Sequence, residues 1–399
     1  MRWKESNKME TIQLYKQDAY NKTFKATVLQ CEKEKDYYQI TLDQTAFFPE
    51  GGGQYGDRGF LDNVIVFDTQ IKEGVVYHKT KEPIEEGREV IGKIDWERRY
   101  CFMQNHSAEH MMSGFVHRHY GYQNVGFHLG EEEMTMDFDG ILTMEQLLTL
   151  EKEVNEAIWE NKEVIVSYPT KEELETIDYR SKKEIEGDMR IVTIDGVDCC
   201  ACCAPHVQKT GEIGFAKVIS VQKNKTGVRV TMIAGRWALQ DYGKKQEEVH
   251  EISKMLSAKV GEVAKTVAKL KEEKEKLEYE LVALRLQMIQ QKAEKTPVVD
   301  GIACMETEGL SGKEVREVCN CLMEKAEIGV VLNRKEKDEE EFQYSIGSKE
   351  QDVRQISILL KEQLNGRGGG QPKMIQGTAV GTKAQVEKVL MDWREQRDE

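Results

Sequence analysis

The sequence predicts an α+β protein in four consecutive parts: a β-barrel-like N-terminal domain, a mixed α+β core, long coiled-coil helices and a C-terminal α/β domain. Three observations predict it. At 399 residues the chain exceeds the usual size of one hydrophobic core, so two or three domains are expected. Over residues 25–94 short apolar segments alternate with Gly- and Asp-containing turns, a β-rich pattern. Over residues 249–288 apolar side chains recur at a 3-4 spacing with Glu and Lys between them, as in a coiled-coil seam. These patterns place the boundaries at 1–95, 96–238, 239–295 and 296–399.

Each part has its own signals. In the first, Tyr38-Gln39-Ile40-Thr41-Leu42 and Val64-Ile65-Val66-Phe67 read as strands of a barrel. In the second, residues 105–119 read as a helix, and a further helix near 145–160 puts Leu147, Leu150, Val154 and Ile158 on one face. Strands are expected to flank the cysteines that follow. The seam runs through Val249, Ser253, Leu256, Val260, Val263, Val267, Leu270, Lys274, Leu277, Leu281, Leu284 and Met288, until Thr296-Pro297 stops it. The pairing could be within one chain or between two. The last part mixes strand and helix signals around Gly366-Arg367-Gly368-Gly369-Gly370.

Composition narrows the function. A charge of -14 argues against non-specific coating of nucleic acid, so an RNA partner has to be met by a local basic patch. Arg98, Arg99, Lys209, Lys217, Lys223, Lys225 and Arg229 are candidates, or ordinary surface. The opening Met1-Arg2-Trp3-Lys4-Glu5 lacks the apolar stretch of a signal peptide, and no apolar run is long enough to span a bilayer; the expected location is the cytoplasm. Nine cysteines, four of them crowded at Cys199, Cys200, Cys202 and Cys203, suit metal or thiol chemistry better than a disulfide framework.

His106 and His110 stand four apart, so on a helix both imidazoles project from one face and can grip one ion. Cys202 and His206 repeat the spacing and complete a tetrahedral Cys-His₃ set that favours zinc, one Zn²⁺ per chain. Two rivals remain. Cys199/Cys202 and Cys200/Cys203 have the C-x-x-C spacing of thiol oxidoreductases, although no thioredoxin-like βαβ pattern surrounds them. Zinc with four protein ligands can also be purely structural. Residues 45–59 form a glycine-rich loop without the Lys-Ser/Thr ending of a P-loop. Its Gly52 and Gly53 let backbone pass close to a ligand, with Thr45 and Gln54 offering hydrogen bonds; taken alone, the loop reads rather as a plain hairpin turn.

Together these motifs resemble the editing domain of alanyl-tRNA synthetase and its free-standing relatives, the AlaX family. The threonine and GGGQ segment, the H-x-x-x-H pair and the C-x-x-x-H pair follow in the family's order. Residues 366–377, GRGGGQPKMIQG, look like the signature of the synthetase's C-terminal, DHH-associated domain, so the long AlaX type matches best. The resemblance implies that His106, His110, Cys202 and His206 hold zinc and that Thr45, Gly52, Gly53 and Gln54 line the pocket for the mischarged amino acid. One departure is Cys203-Ala204-Pro205 where the synthetase has Gly-Gly-Thr, which sets a second thiol beside the ligand.

The activity implied is hydrolysis, in trans, of seryl-tRNA(Ala), with glycyl-tRNA(Ala) as a second candidate substrate. The chain starts just before the barrel and has no Asp-His-His triplet, so neither charging nor nuclease chemistry is expected. Gln54 is the candidate for holding a water, and Glu109, between the two histidines, is a candidate base by proximity. The partner is the 3′ acceptor end of tRNA(Ala), and a homodimer through the coiled coil and C-terminal domain is expected. A zinc-stapled tRNA-binding protein without hydrolytic activity and a zinc/thiol oxidoreductase are the alternatives.

Overall fold

Alternating burial closes the first part on itself. In Glu89–Ile94 and the start of Thr23–Lys33 every second side chain points inward, so Phe24, Ala26, Val28, Val90 and Ile94 form the interior. The computed structural model describes residues 10–181, 189–334 and 340–398; Met1 to Glu5, read above for a signal peptide, lie outside them. Thr23–Lys33, Tyr38–Leu42, Val75–Thr80, Val64–Lys72, Gly59–Leu61 and Glu89–Ile94 form a closed six-stranded barrel in that order. It matches the predicted β-rich unit.

The barrel leads directly into a helix, Trp96–Tyr120, whose first turn is capped by the Asp95 carboxylate accepting from Arg98 N–H at 3.2 Å. It starts nine residues before the predicted segment, because Trp96-Glu97-Arg98-Arg99-Tyr100 has no apolar period to read. Around it lie a four-stranded sheet, Ala216–Lys223, Val228–Ala234, Met134–Phe138 and Asn124–Leu129, and the helix Met144–Trp159. The latter is fixed by a capping box between Thr143 and Gln146 and buries the predicted Leu147, Leu150, Val154 and Ile158. A three-stranded sheet, Val164–Ser167, Ile191–Ile194 and Asp198–Ala201, carries the chain to Cys202.

By contacts the chain divides into two compact units, Met1–Glu251 and Ile252–Glu399. In the second unit a six-stranded sheet runs in the order Val298–Val299, Ile302–Glu308, Ile328–Arg334, Glu341–Gly347, Met374–Val380 and Arg367–Gln371. Ile302–Glu308 and Ile328–Arg334 are parallel, joined through the helix Gly312–Met323; the other pairs are antiparallel. The predicted glycine run is the exposed edge strand. A Cβ on its Gly368 would come within 2.6 Å of the Tyr344 hydroxyl and 2.3 Å of the Gln376 carbonyl oxygen, so only glycine lets the edge close.

The single predicted seam over residues 249–288 is corrected. The helix Gly235–Met255 ends where the Ser253 hydroxyl donates to the Ala258 carbonyl at 2.6 Å and Ser257 turns left-handed, at φ 50°. After a 3₁₀ turn, Val260–Glu262, a second helix spans Val263–Lys295. The stop is a Schellman-type turn, with the Ala258 N–H on the Ser253 carbonyl at 3.0 Å and the Ser257 N–H on the Lys254 carbonyl at 3.1 Å, which a periodicity count does not register. On the second helix Val267, Leu270, Leu277, Leu281, Leu284 and Met288 are all exposed. Among the described residues no helix is long and apolar enough to cross a membrane.

Candidate metal centre

The glycine-rich loop is a hairpin turn and a site element at once. Gly51 and Gln54 exchange both backbone hydrogen bonds, at 3.0 and 3.1 Å, with Gly52 and Gly53 left-handed between them. Gly53 also carries a close approach: a Cβ there would sit 2.5 Å from the Phe127 carbonyl oxygen. The Leu129 N–H donates to the Gly53 carbonyl at 2.8 Å, stitching the turn to the strand Asn124–Leu129. The turn delivers the Gln54 side chain into the interior, where its Oε1 lies 3.0 Å from His106 Nδ1.

A buried ion pair holds barrel and helix in this register. Arg99, fully buried, donates Nε to the Asp57 carboxylate at 2.9 and 3.0 Å and its other nitrogens to the carbonyls of Ala19 and Ala46; Asp57 accepts in turn from the Phe48 N–H at 2.7 Å. Arg99 is therefore no part of a basic surface, which corrects that expectation. Arg98 is taken up by Glu131 and the Gly56 carbonyl, Lys217 by Glu151 and Arg229 by Asp137.

The four residues at the two i, i+4 spacings converge. His106, His110, Cys202 and His206 offer donor atoms within 4.8 Å of one another, and all three imidazoles are buried. His106 Nε2 and His206 Nε2 face the Cys202 sulfur at 3.6 and 3.4 Å. Each Nδ1 is held from outside: His106 by Gln54 Oε1, His110 by Asp198 Oδ2 at 3.0 Å, and His206 by Ser107 Oγ at 3.1 Å. Gln54 Oε1 and Asp198 are acceptors only, so His106 and His110 carry their proton on Nδ1 and turn a lone pair inward on Nε2. Burial would raise the Cys202 thiol, but adjacent His106 and His206 outweigh it and hold it well below the ordinary thiol value. Likewise burial opposes ionisation of Asp198, while His110 and Arg180 keep its carboxylate charged.

This donor set fits a soft, tetrahedral ion: a thiolate-prone sulfur, inward imidazole nitrogens and a complete outer layer of hydrogen bonds. Its sulfur is Cys202; Cys203 is exposed, 3.7 Å from where a Gly52 Cβ would stand. All nine cysteines are free.

The remaining predicted residues fall around this cluster in different ways. Gln54 is 1% exposed and its Nε2 has no hydrogen-bond partner, a buried donor beside a histidine of the cluster. Glu109 Oε1 accepts from Ser113 Oγ at 2.7 Å and Asn124 Nδ2 at 2.6 Å, and its Oε2 lies 3.9 Å from His110 Nε2. Thr45 is fully buried. Its hydroxyl lies 2.8 Å from His78 Nε2 and accepts from the Phe47 N–H at 3.1 Å. His78 Nδ1 faces the Ile40 carbonyl at 3.1 Å and must carry the proton, so Thr45 donates to Nε2; burial lowers His78 to about 4 and keeps it neutral. Sequence reasoning missed Asp198, Ser107, Arg180 and His78. Ser107 stands between His106 and His110 and Asp198 just before the cysteines, but their partners are 99 and 88 residues away.

Comparison with known proteins finds likeness to tRNA synthetases and to alanyl-tRNA editing proteins. A family model described as tRNA synthetases class II (A) matches residues 3–98, and that of the threonyl and alanyl tRNA synthetase second additional domain matches residues 189–230. The chain is thus similar, in these two segments, to parts of tRNA synthetases. Among free-standing proteins it resembles the long AlaX type: the alanyl-tRNA editing protein AlaX-L of Pyrococcus horikoshii is 27% identical over 401 residues, covering 95% of this chain and 97% of that protein. The alanyl-tRNA editing protein Aarsd1-A of Xenopus laevis is 34% identical over 193 residues, 47% of each chain. The alanine–tRNA ligase of Ignicoccus hospitalis is 29% identical over 81% of this chain, which spans 37% of the ligase. A solved C-Ala domain of Aquifex aeolicus alanyl-tRNA synthetase aligns with 24% of the chain at 20% identity and a TM-score of 0.20, too low to bear on the fold.

Proposed function

We propose that the chain is a trans-editing deacylase that hydrolyses the ester of mischarged tRNA(Ala), with seryl-tRNA(Ala) as the preferred substrate and glycyl-tRNA(Ala) as a second. One observation carries this reading: a buried, unpartnered Gln54 amide donor sits beside a Cys-His₃ cluster whose outer hydrogen bonds are complete. Orphaned buried donors are rare, and this one suits a substrate oxygen or a water. The names of the relatives and the two synthetase-derived matches support the same substrate class.

His106, His110, Cys202 and His206 would hold the metal. Zinc bound there would supply a Lewis acid that orients the substrate and polarises its carbonyl. The rest of the chemistry falls to the chain. Gln54 Nε2 donates to the ester carbonyl or holds the attacking water, and Glu109, beside His110, takes the water's proton. The water oxygen joins the acyl carbon, the bond to the ribose oxygen breaks, and the proton ends on that ribose oxygen.

Serine selection rests with Thr45. Its proton is given to His78 and one lone pair to Phe47 N–H, so a ligand can only donate to it. A serine hydroxyl does so and alanine does not. The hydroxyl is already paired without substrate, so discrimination comes from a bond gained with serine rather than from a penalty left by alanine. Gly52 gives the amino acid close access to the backbone, and Gly53 lets the turn close on Phe127 behind it.

The exposed leucines of Val263–Lys295 support a homodimer formed by coiled-coil pairing, and nine free cysteines support a reducing, cytoplasmic location. The test is side-by-side deacylation of seryl-, glycyl- and alanyl-tRNA(Ala) by the full chain. Serine is expected to be released fastest and alanine slowest; equal rates, or none, would overturn the reading.

A further inference from the structure

A second feature sits one short helix away from the cluster. Leu14–Gln17 is a single turn whose Tyr15 packs edge-on to Phe48, with ring centroids 5.4 Å apart, and joins Ala204 and Cys202 in one apolar cluster. Lys16 and Gln17 of this turn, with Gln13 just before it, line a cavity of about 560 Å³ completed by Val166 and Tyr168. That volume lies within the roughly 300–1,000 Å³ of small-ligand clefts.

The lining has a definite chemistry. Tyr168 is half exposed, and its hydroxyl reaches the Lys16 carbonyl at 3.4 Å, which seats the ring against the helical turn. Lys16 is exposed and forms no ion pair with any carboxylate among the described residues. In a chain of charge -14, whose Arg98, Arg99, Lys217 and Arg229 are all taken up by carboxylates, such a cation is available to a phosphate. An aromatic face, a free ammonium and two amides together suit a nucleotide: stacking for the base, charge for the phosphate, hydrogen bonds for the base edge.

We propose that this cavity is a subsite for an unpaired nucleotide of the RNA 3′ end, next to the one whose ribose bears the ester. The inference rests on the deacylase reading for its substrate. A single-stranded end needs no melting to enter, and a nucleotide held there fixes the approach of the ester to the Cys202 side of the cluster.

Kinetics with two esters test it: seryl-tRNA(Ala), which reaches the subsite, and 3′-O-seryl-adenosine, which has no further nucleotide. Lys16→Gln and Tyr168→Leu are each expected to raise KM for the tRNA about tenfold, leaving its kcat and both constants for seryl-adenosine unchanged. Unchanged KM for the tRNA, or equal losses on both esters, would overturn the proposal. Anisotropy of a labelled acceptor minihelix ending in CCA separates this result from the fate of the hydrolase reading. Both variants are expected to bind it about tenfold more weakly even if the wild-type chain hydrolyses neither ester, and wild-type-like binding would overturn the subsite.

Discussion

Asp198 Oδ2 lies 3.0 Å from His110 Nδ1, and the same carboxylate is gripped by Arg180 at 2.7 and 2.9 Å. The aspartate thus fixes the tautomer of one histidine of the cluster while its own charge is held by a partly buried guanidinium. Asp198→Asn keeps the shape and removes the charge. It is expected to weaken zinc binding by about 10- to 100-fold, the usual effect of losing such a partner. Chelator competition measures this, and unchanged affinity would show that Asp198 only braces the strand Asp198–Ala201.

Arg99 and Asp57 make a pair with both side chains essentially out of solvent. Removing one partner leaves the other charge buried, so Arg99→Ala is expected to cost roughly 3–5 kcal/mol of stability. Urea unfolding reads it directly. A change within about 0.5 kcal/mol, typical of a surface residue, would contradict the clamp.

His78 gives the fold a pH dependence whose sign follows from its neutrality. Its ordinary value is near 6.5 and burial lowers it to about 4 in the folded chain. The unfolded chain therefore binds a proton first as the pH falls. Stability from this group is complete above pH 6.5 and declines down to pH 4, by roughly 3 kcal/mol. His78→Gln lacks the titration, so wild type should lose that much relative to the variant between pH 7 and pH 4; parallel profiles would contradict the assignment.

Thr45→Val keeps the volume but leaves His78 Nε2 and the Phe47 N–H without their partner. A stability loss of about 1–3 kcal/mol is expected, with zinc retained. The ratio of serine to alanine release should fall. An unchanged ratio would show that the serine hydroxyl is read elsewhere.

A chain ending at Glu251 should keep its zinc and its barrel and lose self-association, since the exposed leucines of Val263–Lys295 are gone. Light scattering on this form, and on full-length Leu277→Glu/Leu281→Glu, should give monomers. A monomeric wild type, or a truncated form with the wild-type mass, would contradict pairing through the helix.

Much of this was legible in the sequence, for a physical reason. Period-two burial shows the barrel strands, period-3.6 burial shows Met144–Trp159, and two i, i+4 pairs show the members of the His/Cys cluster, because these signals are local. What escaped is long-range or competing. Arg99 reads as a surface cation until Asp57, 42 residues away, is folded against it. Ser107 and Asp198 acquire meaning only when Cys202 and His206 meet the helix of His106 and His110. The break after Met255 comes from a left-handed Ser257 that no glycine announces, and the turn at Gly51 to Gln54 does not by itself show that its glutamine faces inward.

The most direct test is the rate of seryl-tRNA(Ala) hydrolysis by one preparation of the full chain in three states: as purified, after chelation, and after return of one equivalent of zinc. The account predicts hydrolysis, its loss on chelation in a chain that keeps its circular dichroism, and its recovery with zinc. Full activity in the chelated chain would contradict a role for the cluster in the reaction, and absence of hydrolysis in a folded, zinc-replete chain would leave zinc as a structural staple of a protein that only binds RNA.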